Sequence, residues 1–337
     1  MFHPSTYLND LLSRLHPYAQ PLRHLKACVE SLRQCTHADK TELVIGHDAL
    51  PSGPKGDSYR EGFIKIKAWL PSITGFAKVT VLERESNYGP ERNSRALSEY
   101  CLERYDAYIY TEDDNVFSPC FLDFIDKALE RYRDDGRIMS VCGYISPGFY
   151  ETGTAGTFLT YDCAQYGMGR WGHKDREVNS YVDRQDLFVR IVRSRRLSRQ
   201  LLVAYPFNYF QFVEMLRQGV SWGDVKWTTY QVVTGHLQLR PSVSLVRNLG
   251  FDGSGLHCGT QSDMDRQIIS TATVFDLPEH PAMQRTDIAG RGPRYVCMPA
   301  DPESYRREMR AMRRRALRIR LRYTRPWCWI LSWLAKR

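Results

Sequence analysis

The sequence lacks the features that mark several common classes of protein. Its nine cysteines are scattered and contain no C-x-x-C pair, so they give no sign of a disulfide framework. No apolar run approaches the roughly 20 residues of a membrane span, and the longest near the end covers only 327–334. Glycine (23 of 337 residues) and proline (17) are few, and there is no internal repeat. This is a globular composition, which excludes collagen-like, coiled-coil and disordered chains.

The cysteines and the start of the sequence favour a reducing compartment. Several cysteines lie within apolar runs, such as Val141-Cys142, where a thiol packs as a small hydrophobic side chain. No secretory signal peptide is recognised at the start. We therefore expect a cytoplasmic protein with reduced thiols, either soluble or peripheral to a membrane.

The net charge of +9 is concentrated at one end of the sequence. Residues 303–337 hold twelve Arg and Lys against two Glu, a net charge of +10, which leaves the first 302 residues near −1. A basic chain suggests nucleic acid or an anionic membrane as a partner. Because residues 1–302 are nearly neutral, an anionic partner is expected for residues 303–337 alone. The sequence shows no recognised nucleic-acid-binding motif.

The first part of the sequence alternates between patterns typical of strands and of helices. Strands are predicted at 42–45, 78–82, 107–111 and 137–144. Helices are predicted at 20–33, 93–102 and after the N-cap pair Ser118-Pro119, with a loop at 52–57. This order predicts an α/β fold with a mainly parallel sheet and helices on both faces. After residue 146, Gly-rich and aromatic-rich loops precede two further helices, near 203–217 and 222–235.

Three consecutive acids, Glu112, Asp113 and Asp114, directly follow a predicted strand. Ligands of open α/β sheets bind beyond the carboxyl ends of the strands, where these acids project. Hard oxygen ligands suit Mg²⁺ or Mn²⁺, and either cation would be shared with phosphate groups. The alternative interpretation is a solvated acidic turn that caps the next helix.

Two other residues of this half are candidate ligand contacts. Asp48 follows the first clear strand, so its carboxylate could bind a base edge or a ribose, or it could form an Asx turn into the next loop. Arg92 lies in a predicted loop and helix cap, where it is either solvated or bound to a phosphate.

The second half offers one candidate base and one candidate histidine. Asp224 follows Ser221 at the spacing of a capping box, which is the structural interpretation. Its alternative role is a general base, because a helix N-terminus favours the ionised carboxylate. His257 follows a Gly-rich loop that could approach a ligand, although a lone histidine is more often structural than a metal ligand.

Taken together, these segments resemble a glycosyltransferase of the GT-A fold, most like the bacterial family 2 enzymes. The E-D-D form of the acidic motif is similar to that of eukaryotic N-acetylglucosaminyltransferase I. The resemblance covers roughly residues 19–260. Its most specific stretches are Tyr105 to Asp114 (YDAYIYTEDD) with the following Ser118 to Leu122, and Tyr161 to Lys174. Further matches are Ser221 to Trp227 (SWGDVKW) and Ser244 to Cys258.

The resemblance implies a role for most of the candidate residues. Asp48 would hold the nucleotide base, while Glu112 and Asp113 would face the ribose and diphosphate side of the donor. Asp114 would coordinate the divalent cation that bridges the sugar diphosphate. Two residues of the second half complete the set: Asp224 would deprotonate the acceptor hydroxyl, and His257 would close the site over metal and phosphates.

The implied function is a metal-dependent inverting glycosyltransferase, of the hexosyl- or N-acetylhexosaminyltransferase type. It would move a sugar from a nucleotide-diphosphate sugar to a hydroxyl of a glycan or lipid-linked saccharide, using Mn²⁺ or Mg²⁺, in polysaccharide biosynthesis. Single displacement needs a base opposite the leaving diphosphate, whose charge the cation neutralises. The implied domains are a nucleotide-sugar-binding half (1–145), an acceptor-binding half (146–300) of the same Rossmann-like domain, and a basic tail (301–337).

The sequence departs from the family pattern at two points. Relatives usually begin with an apolar strand ending in Tyr-Asn-Arg-Pro, whereas here no convincing strand precedes the equivalent residues 13–21. In relatives the acid of the fourth segment often precedes the Ser-Trp pair, where this chain has Gly219 and Val220, and Asp224 is the nearest carboxylate.

The basic tail combines an apolar stripe at helical spacing with a cluster of tryptophans. Arginines flank the stripe, which is formed by Met309, Met312, Ala316, Ile319 and Tyr323. Trp327, Trp329 and Trp333 follow. Arginines with interfacial tryptophans are typical of an in-plane membrane anchor, here at the inner face of the cytoplasmic membrane. A C-terminal helix docked on the body, or RNA binding, are the alternatives.

Two other functions compete with the glycosyltransferase. The departure at the N-terminus suggests a non-catalytic relative that scaffolds glycan-assembly enzymes at the membrane. A nucleotidyltransferase would share the sheet and the cation chemistry but would release pyrophosphate.

Overall fold

A computed structural model of the 337-residue chain describes residues 5–9, 21–145, 156–182, 190–191, 193–204, 206–218, 222–250 and 267–283, with six isolated positions between 303 and 314. The chain folds into two compact units. The first comprises Met1–Phe158, Ala164–Lys174 and Leu239–Ala282. The second comprises Leu159–Cys163, Asp175–Gln238 and Met283–Arg337. The division into three segments expected from the sequence stays a prediction.

Ten strands occur in the described residues: β1 (Ser5–Asn9), β2 (Glu42–His47), β3 (Lys78–Glu83), β4 (Ala107–Glu112), β5 (Asn115–Phe117), β6 (Ile138–Cys142), β7 (Thr157–Thr160), β8 (Met168–Trp171), β9 (Leu237–Pro241) and β10 (Val246–Asn248). Eight of them form one sheet in the order β3-β2-β1-β4-β8-β6-β9-β7, and β10 and β5 form a separate ribbon.

Eight α-helices occur in the same residues: α1 (Pro21–Arg33), α2 (Pro54–Trp69), α3 (Gly89–Leu102), α4 (Phe121–Arg131), α5 (Gly172–Val182), α6 (Arg195–Ala204), α7 (Pro206–Gln218) and α8 (Gly223–Thr234). In the first unit, α3 packs on β1, β2 and β4, while α4 packs on β6 and β8. In the second unit, α6, α7 and α8 pack on one another.

The sheet is mixed. Strand β1 pairs in parallel with both β2 and β4, and β2 pairs in parallel with β3. Strand β8 pairs antiparallel with β4 and with β6, so β6 runs parallel to β4. The predicted α/β fold class is confirmed, with strand-helix alternation producing the parallel part and β8 adding the antiparallel part.

The N-terminal strand corrects one expectation from the sequence. Residues 5–9 form β1 at the centre of the parallel part, whereas the residue pattern predicts no convincing strand before residues 13–21. The segment Ser-Thr-Tyr-Leu-Asn is short and its apolar content is low. Because strand state depends on neighbours as well as on composition, pairing with β2 and β4 on both sides stabilises it.

Two helix starts also differ from the predictions. Helix α2 begins at Pro54, inside the predicted loop 52–57, because proline is well suited to the first turn of a helix. Helix α4 begins at Phe121 with Cys120 as its N-cap, rather than with Ser118 in that position. The Ser118 hydroxyl instead donates to the backbone carbonyl of Ser270.

The hydrophobic core of the first unit holds the end of β4 in place. Val44, Leu97, Cys101, Tyr108 and Tyr110 form one buried cluster between α3 and the parallel strands. Burial of such side chains contributes about 1.5–3 kcal/mol each. The strand that ends at Glu112, directly before Asp113 and Asp114, is therefore a fixed part of the sheet.

Two negative findings apply to the described ranges only. None of the helices there is long and apolar enough to cross a membrane. The six cysteines within these ranges are all buried, and none forms a disulfide bond.

Candidate functional site

The parallel strands bring Asp48 and the three acids to the same edge of the sheet. In the register of β1, Leu8 lies level with Ile45 of β2 and with Thr111 of β4. Asp48 lies three residues after Ile45, and Asp114 lies three residues after Thr111. With one strand between them, β2 and β4 are about 10 Å apart. The carboxyl ends of these strands therefore present acids to one common region.

The acids of the motif differ in burial. Glu112 is the last residue of β4 and is half-buried. Asp113 and Asp114 lie in the turn between β4 and β5, with only 4% and 3% of their surface exposed. A solvated acidic turn is therefore the wrong interpretation of these two residues, because both are buried in the protein.

The β5–β10 ribbon holds Asp114 in place. Asn248 lies opposite Asn115 in the antiparallel register. The Asn248 side chain donates from Nδ2 to Oδ1 of Asp114 at 2.7 Å. The backbone N–H of Leu249 donates to the carbonyl oxygen of Asp114, also at 2.7 Å. The acid is thus bound through both its side chain and its backbone.

Gly250 lies against the second carboxylate oxygen of Asp114. A Cβ atom at this position would be 2.2 Å from Oδ2 of Asp114, which no side chain can accommodate without a shift. The N–H of Gly250 donates to Oδ1 of Asn248 at 2.8 Å. Glycine is therefore required here for close approach of the backbone to the acid.

Further buried amides extend this network into β4. Asn248 Nδ2 also donates to Oδ1 of Asn115 at 3.0 Å. Asn115 Nδ2 donates to the hydroxyl of Thr111 at 2.9 Å. Both asparagines are at most 3% exposed, so these bonds form in a medium where they are stronger than in water.

A buried thiol lies near the acidic turn. The Sγ atom of Cys28, on α1, is 3.6 Å from the carbonyl oxygen of Glu112. Burial, with the negative charges of Asp113 and Asp114, raises the pKa of this thiol well above its ordinary value. Burial and these charges therefore favour the protonated thiol of Cys28 at neutral pH.

Asp48 is fully buried, and its carboxylate accepts four hydrogen bonds from the protein. Oδ1 accepts from the backbone N–H groups of Ala49 (2.9 Å) and Tyr88 (2.7 Å). Oδ2 accepts from the N–H of Gly89 (2.7 Å) and from the side chain of Asn87 (3.1 Å). A carboxylate has about four acceptor positions, so this geometry favours a structural role at the start of α3. The base-binding role stays a prediction.

Arg92 lies on the exposed surface of α3 and stacks on Tyr88. Its guanidinium carbon is 3.7 Å from the centre of the Tyr88 ring. Arg84, on the other hand, donates from Nε to Oδ1 of the buried Asn93 at 2.8 Å. Stacking keeps the charge of Arg92 near the start of α3, where it could meet a phosphate, and that role stays a prediction.

His47 is a buried residue at this edge that no sequence motif singles out. It precedes Asp48, is 2% exposed, and stacks on Phe63 with ring centres 4.8 Å apart. Its Nε2 has no hydrogen-bond partner among the residues that the structure describes. Burial lowers the pKa of this imidazole, so it is neutral at pH 7. Its position at the end of a buried strand is the signal that could have identified it.

Asp224 belongs to the second unit, whereas the other acids belong to the first. It is exposed and lies in the first turn of α8, whose N-cap is Trp222. The capping-box interpretation, which needs Ser221 as the N-cap, is therefore wrong by one residue. The general-base role stays a prediction. His257 and most of the tail lie outside the described residues.

The residues of the acidic turn fit a divalent cation by their chemistry. Mg²⁺ is usually held by one or two carboxylates together with substrate phosphates and water. Glu112, Asp113 and Asp114 supply such oxygens at one strand end. No group of three or more His, Cys, Asp or Glu with metal-binding geometry occurs in the described part of the chain. The chemistry of the three acids therefore suits a cation that is shared with a phosphate ligand rather than one held by protein groups alone.

Comparison with known proteins adds no family to this description. No protein-family model matches the sequence, and no curated protein matches it.

Proposed function

We propose that the chain is a metal-dependent inverting glycosyltransferase with a GT-A fold. It would move a sugar from a nucleotide-diphosphate sugar to a hydroxyl of a glycan or lipid-linked saccharide. The observation that carries the proposal is the buried Asp114 at the carboxyl end of β4, held by Asn248 of the β5–β10 ribbon. A buried acid at a strand end, next to two further acids, is suited to a cation with a phosphate ligand.

Each proposed role belongs to a particular residue. In the first unit, Asp114 would hold Mn²⁺ or Mg²⁺, and Glu112 and Asp113 would face the ribose and diphosphate. The cation, when bound, would neutralise the charge that grows on the leaving diphosphate. In the second unit, Asp224 would accept the proton of the acceptor hydroxyl, and its place in the first turn of α8 favours the ionised form that a base needs.

Four further parts of the proposal rest on the sequence. Arg92 would contact a donor phosphate, and Asp48 would contact the base directly or set the loop that does. His257 would close the site. The basic tail, residues 303–337, would bind an anionic membrane surface and hold the enzyme at the inner face of the cytoplasmic membrane.

A non-catalytic scaffold is the second candidate, and one observation favours it. The four acceptor positions of the Asp48 carboxylate are taken by donors of the protein itself, which leaves little capacity for a base. The presence of β1 counts against this candidate, because the lack of a predicted N-terminal strand is what suggests a scaffold.

Release of nucleoside diphosphate tests the proposal directly. The full chain with Mn²⁺ and a panel of nucleotide sugars should release nucleoside diphosphate, slowly even without acceptor. Asp114→Asn should reduce this rate by at least about 100-fold, since one lost electrostatic contact in a site of this kind costs that much. The matched control is Asp134→Asn, because Asp134 is exposed and precedes β6, at the opposite edge of the sheet.

Other outcomes distinguish the competing functions. Equal rates for wild type and Asp114→Asn would exclude the metal role of that residue. Pyrophosphate as the product would identify a nucleotidyltransferase. A scaffold should show no divalent-dependent binding of nucleoside diphosphates by calorimetry.

A further inference from the structure

We propose that Asn248 is a positioning residue for Asp114 and fixes the orientation of the carboxylate that meets the cation. The proposal rests on the metal role of Asp114 in the proposed function. It makes β10 part of the site, although the acidic motif does not include this strand. The two residues are 134 positions apart in the sequence and are brought together by the β5–β10 ribbon.

The side-chain amide of Asn248 is bound at both ends. Its Nδ2 group has two hydrogens, and these reach Oδ1 of Asp114 at 2.7 Å and Oδ1 of Asn115 at 3.0 Å. Its Oδ1 accepts from the N–H of Gly250 at 2.8 Å. With 3% of its surface exposed, the amide cannot rotate without leaving buried polar groups unsatisfied.

The two carboxylate oxygens of Asp114 consequently have different surroundings. Oδ1 is held by the amide of Asn248, and Oδ2 lies against the backbone of Gly250, where no Cβ fits. Rotation of the carboxylate would break the hydrogen bond from Asn248 and move Oδ2 away from Gly250. A cation would therefore meet a carboxylate whose plane is already set, which reduces the ordering cost of binding.

The ribbon itself does not require this side-chain bond. Backbone pairing joins Val246 to Phe117 and Asn248 to Asn115. The N–H of Ser118 donates to Leu245 at 2.8 Å, and that of Leu249 donates to the carbonyl of Asp114. These backbone bonds would persist after removal of the Asn248 amide. The side chain thus orients the acid, in addition to satisfying the buried polar groups of Asn115 and Gly250.

The test is binding of Mn²⁺, with and without a nucleoside diphosphate, measured by calorimetry. The variants are Asn248→Ala, Asp114→Asn and the control Asn208→Ala. Asn208 is a matched buried asparagine of the second unit, 1% exposed, which donates to Thr229 at 3.1 Å. Asn248→Ala should weaken Mn²⁺ binding by about 10–100-fold, the usual effect of losing a residue that orients a ligand. Asn208→Ala should leave the affinity unchanged within about threefold.

A second readout separates positioning from folding. In the nucleoside diphosphate assay, Asn248→Ala should raise the KM for Mn²⁺ by the same factor and leave kcat at saturating Mn²⁺ closer to wild type. If the alanine variant does not fold, Asn248→Leu keeps the branched shape of the side chain without a donor, and the same loss of affinity is expected from it.

Each failure has its own signature. Wild-type affinity in Asn248→Ala, with affinity lost in Asp114→Asn, would overturn the positioning role and leave the proposed function standing. Unchanged affinity in Asp114→Asn, or no Mn²⁺ binding by the wild type either alone or with a nucleoside diphosphate, would overturn both.

Discussion

The backbone N–H of Gly89 donates to the buried carboxylate of Asp48 at 2.7 Å, so that the first residue of α3 is tied to the end of β2. The neighbouring N–H of Tyr88 donates to the other oxygen of the same carboxylate at 2.7 Å. Negative charge at this end of a helix is favourable, because the helix dipole places partial positive charge there. One side chain therefore sets both the position and the electrostatics of this helix start.

Replacement of Asp48 should destabilise the protein. Asp48→Ala leaves the N–H groups of Tyr88 and Gly89 buried without their acceptor, and each such loss costs about 1–3 kcal/mol. We expect the free energy of unfolding in urea to fall by about 3 kcal/mol. The control is Asp57→Ala, an exposed residue paired with Arg60 on the surface, which should change stability by less than about 0.5 kcal/mol. Equal stability of the two variants would contradict the structural role of Asp48.

Replacement of Gly250 should disturb the acid specifically. In Gly250→Ala the new methyl group would lie 2.2 Å from Oδ2 of Asp114, and overpacking of this kind costs about 1–3 kcal/mol. We expect a lower urea midpoint together with weaker Mn²⁺ binding. Gly136→Ala is the matched control, because its new methyl group meets no atom within 4 Å. A Gly250→Ala protein as stable as the control would show that the close contact does not exist in solution.

The stability of the protein should depend on pH through Asp126 of α4. Burial, with the nearby charges of Asp123 and Glu130, raises the pKa of this carboxyl to about 8. Its Oδ2 is 3.9 Å from Nδ1 of His37, but a neutral carboxyl forms no ion pair at pH 7. The folded state binds this proton more tightly than the unfolded state. The contribution of the proton to the free energy of unfolding is therefore complete below about pH 4 and is lost as the pH rises to 8.

Asp126→Asn should therefore remove part of this dependence. Between pH 5 and pH 9 the urea midpoint of the wild type should fall more than that of the variant, so the variant is the more stable protein at pH 9. Asp39→Asn, on an exposed residue, should follow the wild type across the range. Parallel curves for Asp126→Asn and wild type would exclude the raised pKa.

Two thiols of α1 and the turn that follows it should resist alkylation. Burial raises the pKa of Cys35 to about 12, and the acids of the β4 turn add to the effect of burial on the pKa of Cys28. Iodoacetamide reacts with the thiolate, which is scarce at pH 8 in both residues. Mass spectrometry should find both peptides unmodified in the native protein and modified in urea. Rapid modification of either thiol in the native protein would contradict its burial.

The tail should bind membranes that carry negative charge. Vesicles containing phosphatidylglycerol should sediment with the full chain, and binding should decrease as salt screens the charge of residues 303–337. W327A/W329A/W333A keeps all the arginines and should bind less tightly at physiological salt. Binding that is equal for neutral and anionic vesicles, or unchanged in the triple variant, would contradict the membrane role.

The sequence predicted those parts of the fold that local pattern determines. Apolar runs located β2, β3 and β4, and helical spacing located α1, α3 and α4, with ends that moved by a few residues. Strand β1 escaped detection because Ser-Thr-Tyr-Leu-Asn has no distinctive pattern. Residues 5–9 are extended because they pair with β2 and β4, which lie far along the chain. The local sequence around residues 5–9 does not include these partners.

The candidate site was predictable in composition but not in its contacts. The acids after β4 are visible as a motif, since three consecutive carboxylates at a strand end are unusual. That Asn248 reaches Asp114, or that four donors occupy Asp48, depends on residues 134 and up to 41 positions away. Such pairings arise only when the strands are assembled, so spacing in the sequence cannot reveal them.

The position of β1 also has a consequence for how the chain folds. Ser5 pairs with Tyr108, so the centre of the sheet joins residues more than a hundred positions apart. During synthesis the backbone groups on both sides of β1 stay unpaired until β2 and then β4 have been made. Pairings of such long range slow folding and leave edges exposed to other chains. We therefore expect the protein to refold slowly and to need dilute conditions or a chaperone.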